Sequence, residues 1–212
     1  MPAVLLPLPS DRRAERLARC ISGLALFGLG ISLFLVAELG VAPWDVLHQG
    51  ISRRTGVPIG VVIEITGVLL LLAWIPLRQR LGWGTLLNAA EIGLVVLLIG
   101  DRLPSTDAIV PRLGYVAAGL LAIGVGSGLY IGAGLGSGPR DGLMLGLAAR
   151  GVSVRLARTA IEASVLVGGW ALGGDIGLGT AVFALGIGPT VQFFLPLLRP
   201  RDVAVSTGSA RA

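Results

Sequence analysis

The sequence predicts an all-α integral membrane protein of about six transmembrane helices. They form two inverted three-helix repeats, each with a short re-entrant or interfacial helix. Composition, the spacing of apolar runs and internal repetition carry that prediction. Of 212 residues, 54% are hydrophobic, another 33 are glycine, and only 14% are charged, where about a quarter is usual in a soluble domain. Mean hydropathy is +0.85. Such a chain lacks the polar residues that a water-facing surface needs. Six spans of about 20 residues each leave no room for a separate soluble catalytic domain.

The function classes narrow further. One cysteine, Cys20, excludes an intramolecular disulfide framework, and one histidine excludes a multi-histidine metal site. No metal, cofactor or enzymatic activity is expected. The net charge of +5 comes from 17 basic residues, all arginine. In a soluble protein a pI near 10.9 would suggest nucleic acid. Here the arginines flank apolar runs, which points to topology and anionic lipid headgroups instead.

In chain order, residues 1–19 are a charged segment expected in the cytoplasm. The apolar run 21–40 is longer than a signal-peptide core and reads as an uncleaved first span. Further runs cover 58–77 and 84–99, so the first repeat occupies 20–100. A loop at 101–113 joins it to the second repeat, 114–198, with runs at 113–135, 154–172 and 177–198. Each run is expected to be helical, since hydrocarbon offers the backbone no other hydrogen-bond partner. The tail 199–212 is small and polar, and is expected to be cytoplasmic and disordered. Trp44, Trp74, Trp83 and Trp170 fall near run ends, where interfacial anchors belong.

Residues 28–50 align without gaps on 124–146. The alignment matches Gly30 with Gly126, Leu39-Gly40 with Leu135-Gly136, Pro43 with Pro139 and Asp45 with Asp141. With small gaps Ile63-Glu64 falls on Ile161-Glu162 and Trp74 on Trp170, and 82–93 matches 177–188. Each copy also holds a short segment, 43–53 or 139–150. At 1.5 Å per residue such a helix is under ~18 Å long, against a hydrocarbon core of ~30 Å. It should therefore enter and leave on one side or lie at the interface. Three crossings per copy then turn the second copy upside down, the arrangement of many secondary transporters.

Chemistry concentrates at "LGVAPWD" (39–45) and "LGSGPRD" (135–141). Gly40, Gly136 and Gly138 permit a sharp break, and Pro43 and Pro139 end one helix while suiting the first turn of the next. Asp45 and Asp141 then lie near the third helical position, facing the exposed amides. Two readings stand: an ordinary acidic helix start, or a broken helix offering polar groups to a substrate or ion. Glu64, Glu162 and Glu91 fall within apolar runs, with Asn88 about one turn from Glu91. A charge at mid-membrane costs about 2.5–3.5 kcal/mol on insertion scales, so such acids face a bundle interior as ligand groups or as structural carboxylates. For Glu162 the structural partner would be Arg158, four residues earlier. His48 reads as an interfacial polar residue, and the glycines as sites of close helix packing.

The blocks "LGVAPWDVLHQGISRRTG", "LGSGPRDGL" and "GTLLNAAEIG" resemble the YczE family of bacterial membrane proteins, related to the YitT group, over roughly residues 20–198. The resemblance implies a multi-pass protein of the bacterial inner membrane, with both termini cytoplasmic in the scheme above. It carries over no catalytic residues, substrate or cofactor. The leading expectation is a transporter of a small molecule or ion. The alternative is a non-transporting membrane accessory protein that supports a biosynthetic or secretion system. The partners are the lipid bilayer, the small molecule or ion, and either a second copy or a membrane partner protein.

Overall fold

A computed structural model describes residues 5–200. The expected tail at 199–212 lies almost wholly outside them. Each apolar run folds as a helix, and each short segment folds as a separate one: α1 (Arg13–Ala37), α2 (Pro43–Thr55), α3 (Ile59–Leu77), α4 (Trp83–Ile99), α5 (Ile109–Gly132), α6 (Pro139–Ala148), α7 (Val154–Ala171) and α8 (Leu178–Leu198). Five helices are long and apolar enough to cross a membrane: α1, α3, α4 with its 3-10 extension to Arg102, α5 and α8. The sixth long helix, α7, has 18 residues and carries Arg155, Arg158 and Glu162. The sequence reading thus anticipates one more apolar span than length and composition support.

The helix α1 begins ahead of its apolar run because the arginines there find partners. The buried Arg16 donates to the Ala133 carbonyl at 2.9 Å and to Asp11 at 2.6 Å. Arg19 donates to the Leu198 carbonyl at 2.7 Å. The central seam joins α1 to α5, and glycines make it. A methyl on Gly23 would come within 2.7 Å of the Gly126 carbonyl, and one on Gly30 within 2.8 Å of the Gly119 carbonyl. Partners 23 with 126 and 30 with 119 run in opposite senses, so α1 and α5 are antiparallel. Such close approach is how helices associate where no hydrophobic effect drives them together.

Outside the seam, α4 packs on α1 and α8 on α5, while α2 lies on α7 and α6 on α3. The helices α3 and α4 are also packed, through Gly60 against Gly93 and Gly67 against Ala89. Nothing comparable joins α7 to α8, where a methyl on Gly188 would meet nothing within 4 Å.

Both helix breaks adopt backbone that only glycine takes easily, with φ of +93° at Gly40 and +124° at Gly136. Each break docks on the start of a helix from the other half of the chain. The Leu39 carbonyl accepts from Gly179 N–H at 2.6 Å, and the Leu135 carbonyl from Gly84 N–H at 2.8 Å. The hydroxyls of Thr180 and Thr85 complete these joints by accepting from Gly177 and Gly82 N–H, each at 3.2 Å.

After their breaks α2 and α6 run to opposite ends of the bundle. At the end of α2, Arg53 grips Asp175 in a two-pronged ion pair of 2.8 and 2.6 Å, and Gln49 donates to the same carboxylate at 3.0 Å. Arg53 holds the Asp175 carboxyl below its usual range. The end of α6 is tied more simply, by Arg150 donating to the Pro76 carbonyl.

Candidate functional site

The two breaks bring the starts of α2 and α6 to the middle of the bundle, where they line one cavity of about 210 Å³. Pro43 and Pro139 occupy the first positions of their helices, which puts Asp45 and Asp141 in the first turns. Residues from the middles of other helices close the walls: Phe27 of α1, Ile92 of α4, Ile123 and Ser127 of α5, and Phe183 and Ile187 of α8. The helix α7 adds Arg158 and Glu162.

Asp45 is buried, and its Oδ1 lies 3.1 Å from Nδ1 of His48, itself 0% exposed. The carboxylate therefore holds His48 as its Nδ1–H tautomer and leaves Nε2 without a partner among the described residues. Arg140, from the other break, approaches Asp45 at 3.9 Å and lies over the buried Trp44 ring, 5.0 Å from its centroid. A guanidinium over an indole face is attracted by the ring quadrupole. Asp141 stays accessible to the cavity, and Tyr130 reaches its Oδ2 from 3.5 Å. Arg158 and Glu162 pair at 2.9 Å across one turn of α7. From behind, Trp74 Nε1–H donates to the Pro139 carbonyl at 2.8 Å and fixes the start of α6.

Among the residues read from sequence, Asp45, Asp141, Glu162, Asn88, Pro43, Gly138 and Pro139 line this cavity. Gly40 and Gly136 sit behind them as the turns that let α2 and α6 start there. Glu64 and Glu91 do not line it. Glu64 instead packs at the α3–α4 seam, with its Cγ 2.5 Å from where a methyl on Gly93 would stand. A second, smaller cavity of about 20 Å³ lies toward that seam, between His48, Asn88 and Arg140.

Three sequence readings are corrected. Trp44 and Trp74 are buried at 8% and 2% exposure rather than anchored at an interface, because the two breaks provide them with a cation and a carbonyl. His48 is also buried rather than interfacial, with Asp45 one turn earlier accepting from its Nδ1–H. Arg140, counted among the arginines that mark topology, faces the cavity. One signal could have found Arg140 and Trp44 together. They occupy the same place in the two aligned blocks, so breaks that meet must set a cation beside an aromatic ring.

Residues 14–196 match a family of unknown function, DUF6198. An uncharacterized protein of Haemophilus influenzae is 41% identical over 176 residues, covering 82% of this chain and 81% of its own. YczE, an uncharacterized membrane protein of Bacillus subtilis, is 33% identical over 180 residues, with 82% and 83% covered. YyaS, from the same organism, is 28% identical over 184 residues, with 83% and 90% covered. No solved structure matches the chain.

Proposed function

The chain belongs to the DUF6198 family of membrane proteins, and we propose that it is a non-enzymatic bacterial inner-membrane transporter of a small molecule or ion. In this reading two three-span halves of opposite orientation share the central cavity. The aligned glycines support the inverted relation: Gly23 meets Gly126 where Gly119 meets Gly30, as a two-fold axis across the α1–α5 seam requires. The reciprocal joints of Leu39 with Gly179 and Leu135 with Gly84 agree with it. Crossing by α7 is compatible with its charges, since Arg158 and Glu162 pair with each other at the cavity. Arg53, Arg54, Arg102 and Arg112 fall at one end of the bundle, and most of the other arginines at the end with the N-terminus. The positive-inside tendency then makes the N-terminal end cytoplasmic.

The observation that carries the reading is the unequal closure of the two halves around the cavity. In the first half α3 is sealed on α4 at Gly60 and Gly93. Their aligned counterparts are Arg158 and Gly188, on helices that stand apart. One wall closed and its counterpart open is the asymmetry that alternating access exchanges.

The test needs no substrate. Ser127, buried on the cavity wall, is changed to cysteine in a Cys20→Ala background. Right-side-out and inside-out vesicles are then treated with a membrane-impermeant thiol reagent. A carrier exposes position 127 to both faces in turn, so labelling from both sides is expected. Labelling from one side alone would overturn alternating access. It would favour the accessory reading, for which the uncovered Gly168 and Gly188 offer a surface to a partner helix.

A further inference from the structure

From the charges that the cavity leaves unpaired, we infer that it binds a small organic cation, an ammonium group on an apolar or aromatic body, with Asp141 as the counter-charge. Three carboxylates, of Asp45, Asp141 and Glu162, line the cavity with two guanidinium groups, of Arg140 and Arg158. Both arginines have partners. Arg158 bonds Glu162 at 2.9 Å, and Arg140 has the Trp44 face and the Asp45 carboxylate. Asp141 makes no ion pair within 4.0 Å among the described residues, and its one side-chain partner is the neutral Tyr130 hydroxyl at 3.5 Å. An accessible carboxylate in the middle of an apolar bundle calls for a cation.

The remaining walls say what kind. Phe27, Tyr130, Phe183 and Ile187 surround the acid with aromatic and apolar surface. Ring faces attract a cation and shed water from an apolar body. A bare metal ion is a poor match, because it wants several oxygen ligands and no cluster of three or more His, Cys, Asp or Glu exists among the described residues. An anion would have to take Arg140 or Arg158 from its present partner and settle beside the Asp141 carboxylate. The wall between α7 and α8, where few residues meet, is the side proposed for entry of the apolar body. As a statement about cargo this rests on the transporter reading, whereas as a statement about binding it stands alone.

The experiment compares three ligands that share one ring and differ in charge: benzyltrimethylammonium, benzyl alcohol and benzoate. Each is titrated calorimetrically into the full chain in detergent, with empty micelles subtracted. Benzyltrimethylammonium should bind at least about tenfold more tightly than either of the others, a difference of about 1.4 kcal/mol. Asp141→Asn should abolish that preference while melting as the wild type does, and Asp141→Glu should retain it. Benzoate binding equal to or tighter than the cation would overturn the inference, as would an undiminished preference in a folded Asp141→Asn protein. Failure of the two readings is distinguishable. Cation binding with one-sided labelling of position 127 removes the transporter and keeps the site. Two-sided labelling without cation preference does the reverse.

Discussion

Trp74 and Trp170 occupy matching places in the two aligned blocks, yet one is 2% exposed and the other 64%. Only Trp74 meets a break, donating to the Pro139 carbonyl in the first turn of α6. Trp74→Phe keeps the ring and loses that bond, so it should lower stability in detergent by about 0.5–1.5 kcal/mol. Trp170→Phe should leave the melting temperature unchanged, and thermal melting of the two variants checks the contrast. Asp175 offers a pH test outside the apolar helices. Arg53 lowers the pKa of its carboxyl in the folded chain. The stabilisation is therefore complete above the unfolded value, near about 3.9, and disappears as pH falls through the lower folded value. Between pH 6 and pH 3 the wild type should lose more melting temperature than Asp175→Asn. Both groups are partly exposed, so solvent screening keeps this difference small. The special residue types were legible at this scale: proline, glycine and acid in each break. Their partners were harder to read: Arg140 and Trp44 align in the repeat, but they lie far apart in the chain and meet only when the two breaks do.

Helix α5 shows how one element can be read and still surprise. Its apolar run predicts a span, and its glycines predict close packing, but neither says which glycine bears the contact. Gly126 would put a methyl 2.5 Å from the Gly23 carbonyl, while Gly188 of α8 has nothing within 4 Å. Gly126→Ala should therefore destabilise the bundle by about 1–3 kcal/mol through overpacking. Gly188→Ala should be neutral, or stabilising by up to about 1 kcal/mol from helix propensity. Denaturation in mixed micelles compares them. The short helices were more legible. At 13 and 10 residues α2 and α6 reach only about 20 and 15 Å, and their prolines mark their first residues. The helix α7 was less so. Its run has the length of a span, but its three charged residues separate it from the five most apolar helices.

At the scale of the whole molecule the arrangement makes a topological prediction. Arg80 follows α3 and Asp107 precedes α5, so one passage along α4 separates them. In a Cys20→Ala background, Arg80→Cys should be labelled only from the cytoplasmic face and Asp107→Cys only from the opposite one. Labelling of both from one face would sink the proposed six-span topology. By itself the sequence determined the class of protein, the order of eight helical segments and the two places where a helix must stop. Those follow from local causes: hydropathy that only lipid or a core can satisfy, proline without an N–H, and glycine with positive φ. Tertiary structure alone decided which acids share a cavity and which lie in a seam. It placed Glu162 on the same cavity as Asp141 and left Glu64 between α3 and α4, although the two glutamates align in the repeat. The physical reason is that one pair of helices closes and the other stands open. Helix packing settles that choice across the whole bundle, and no local pattern of residues encodes it.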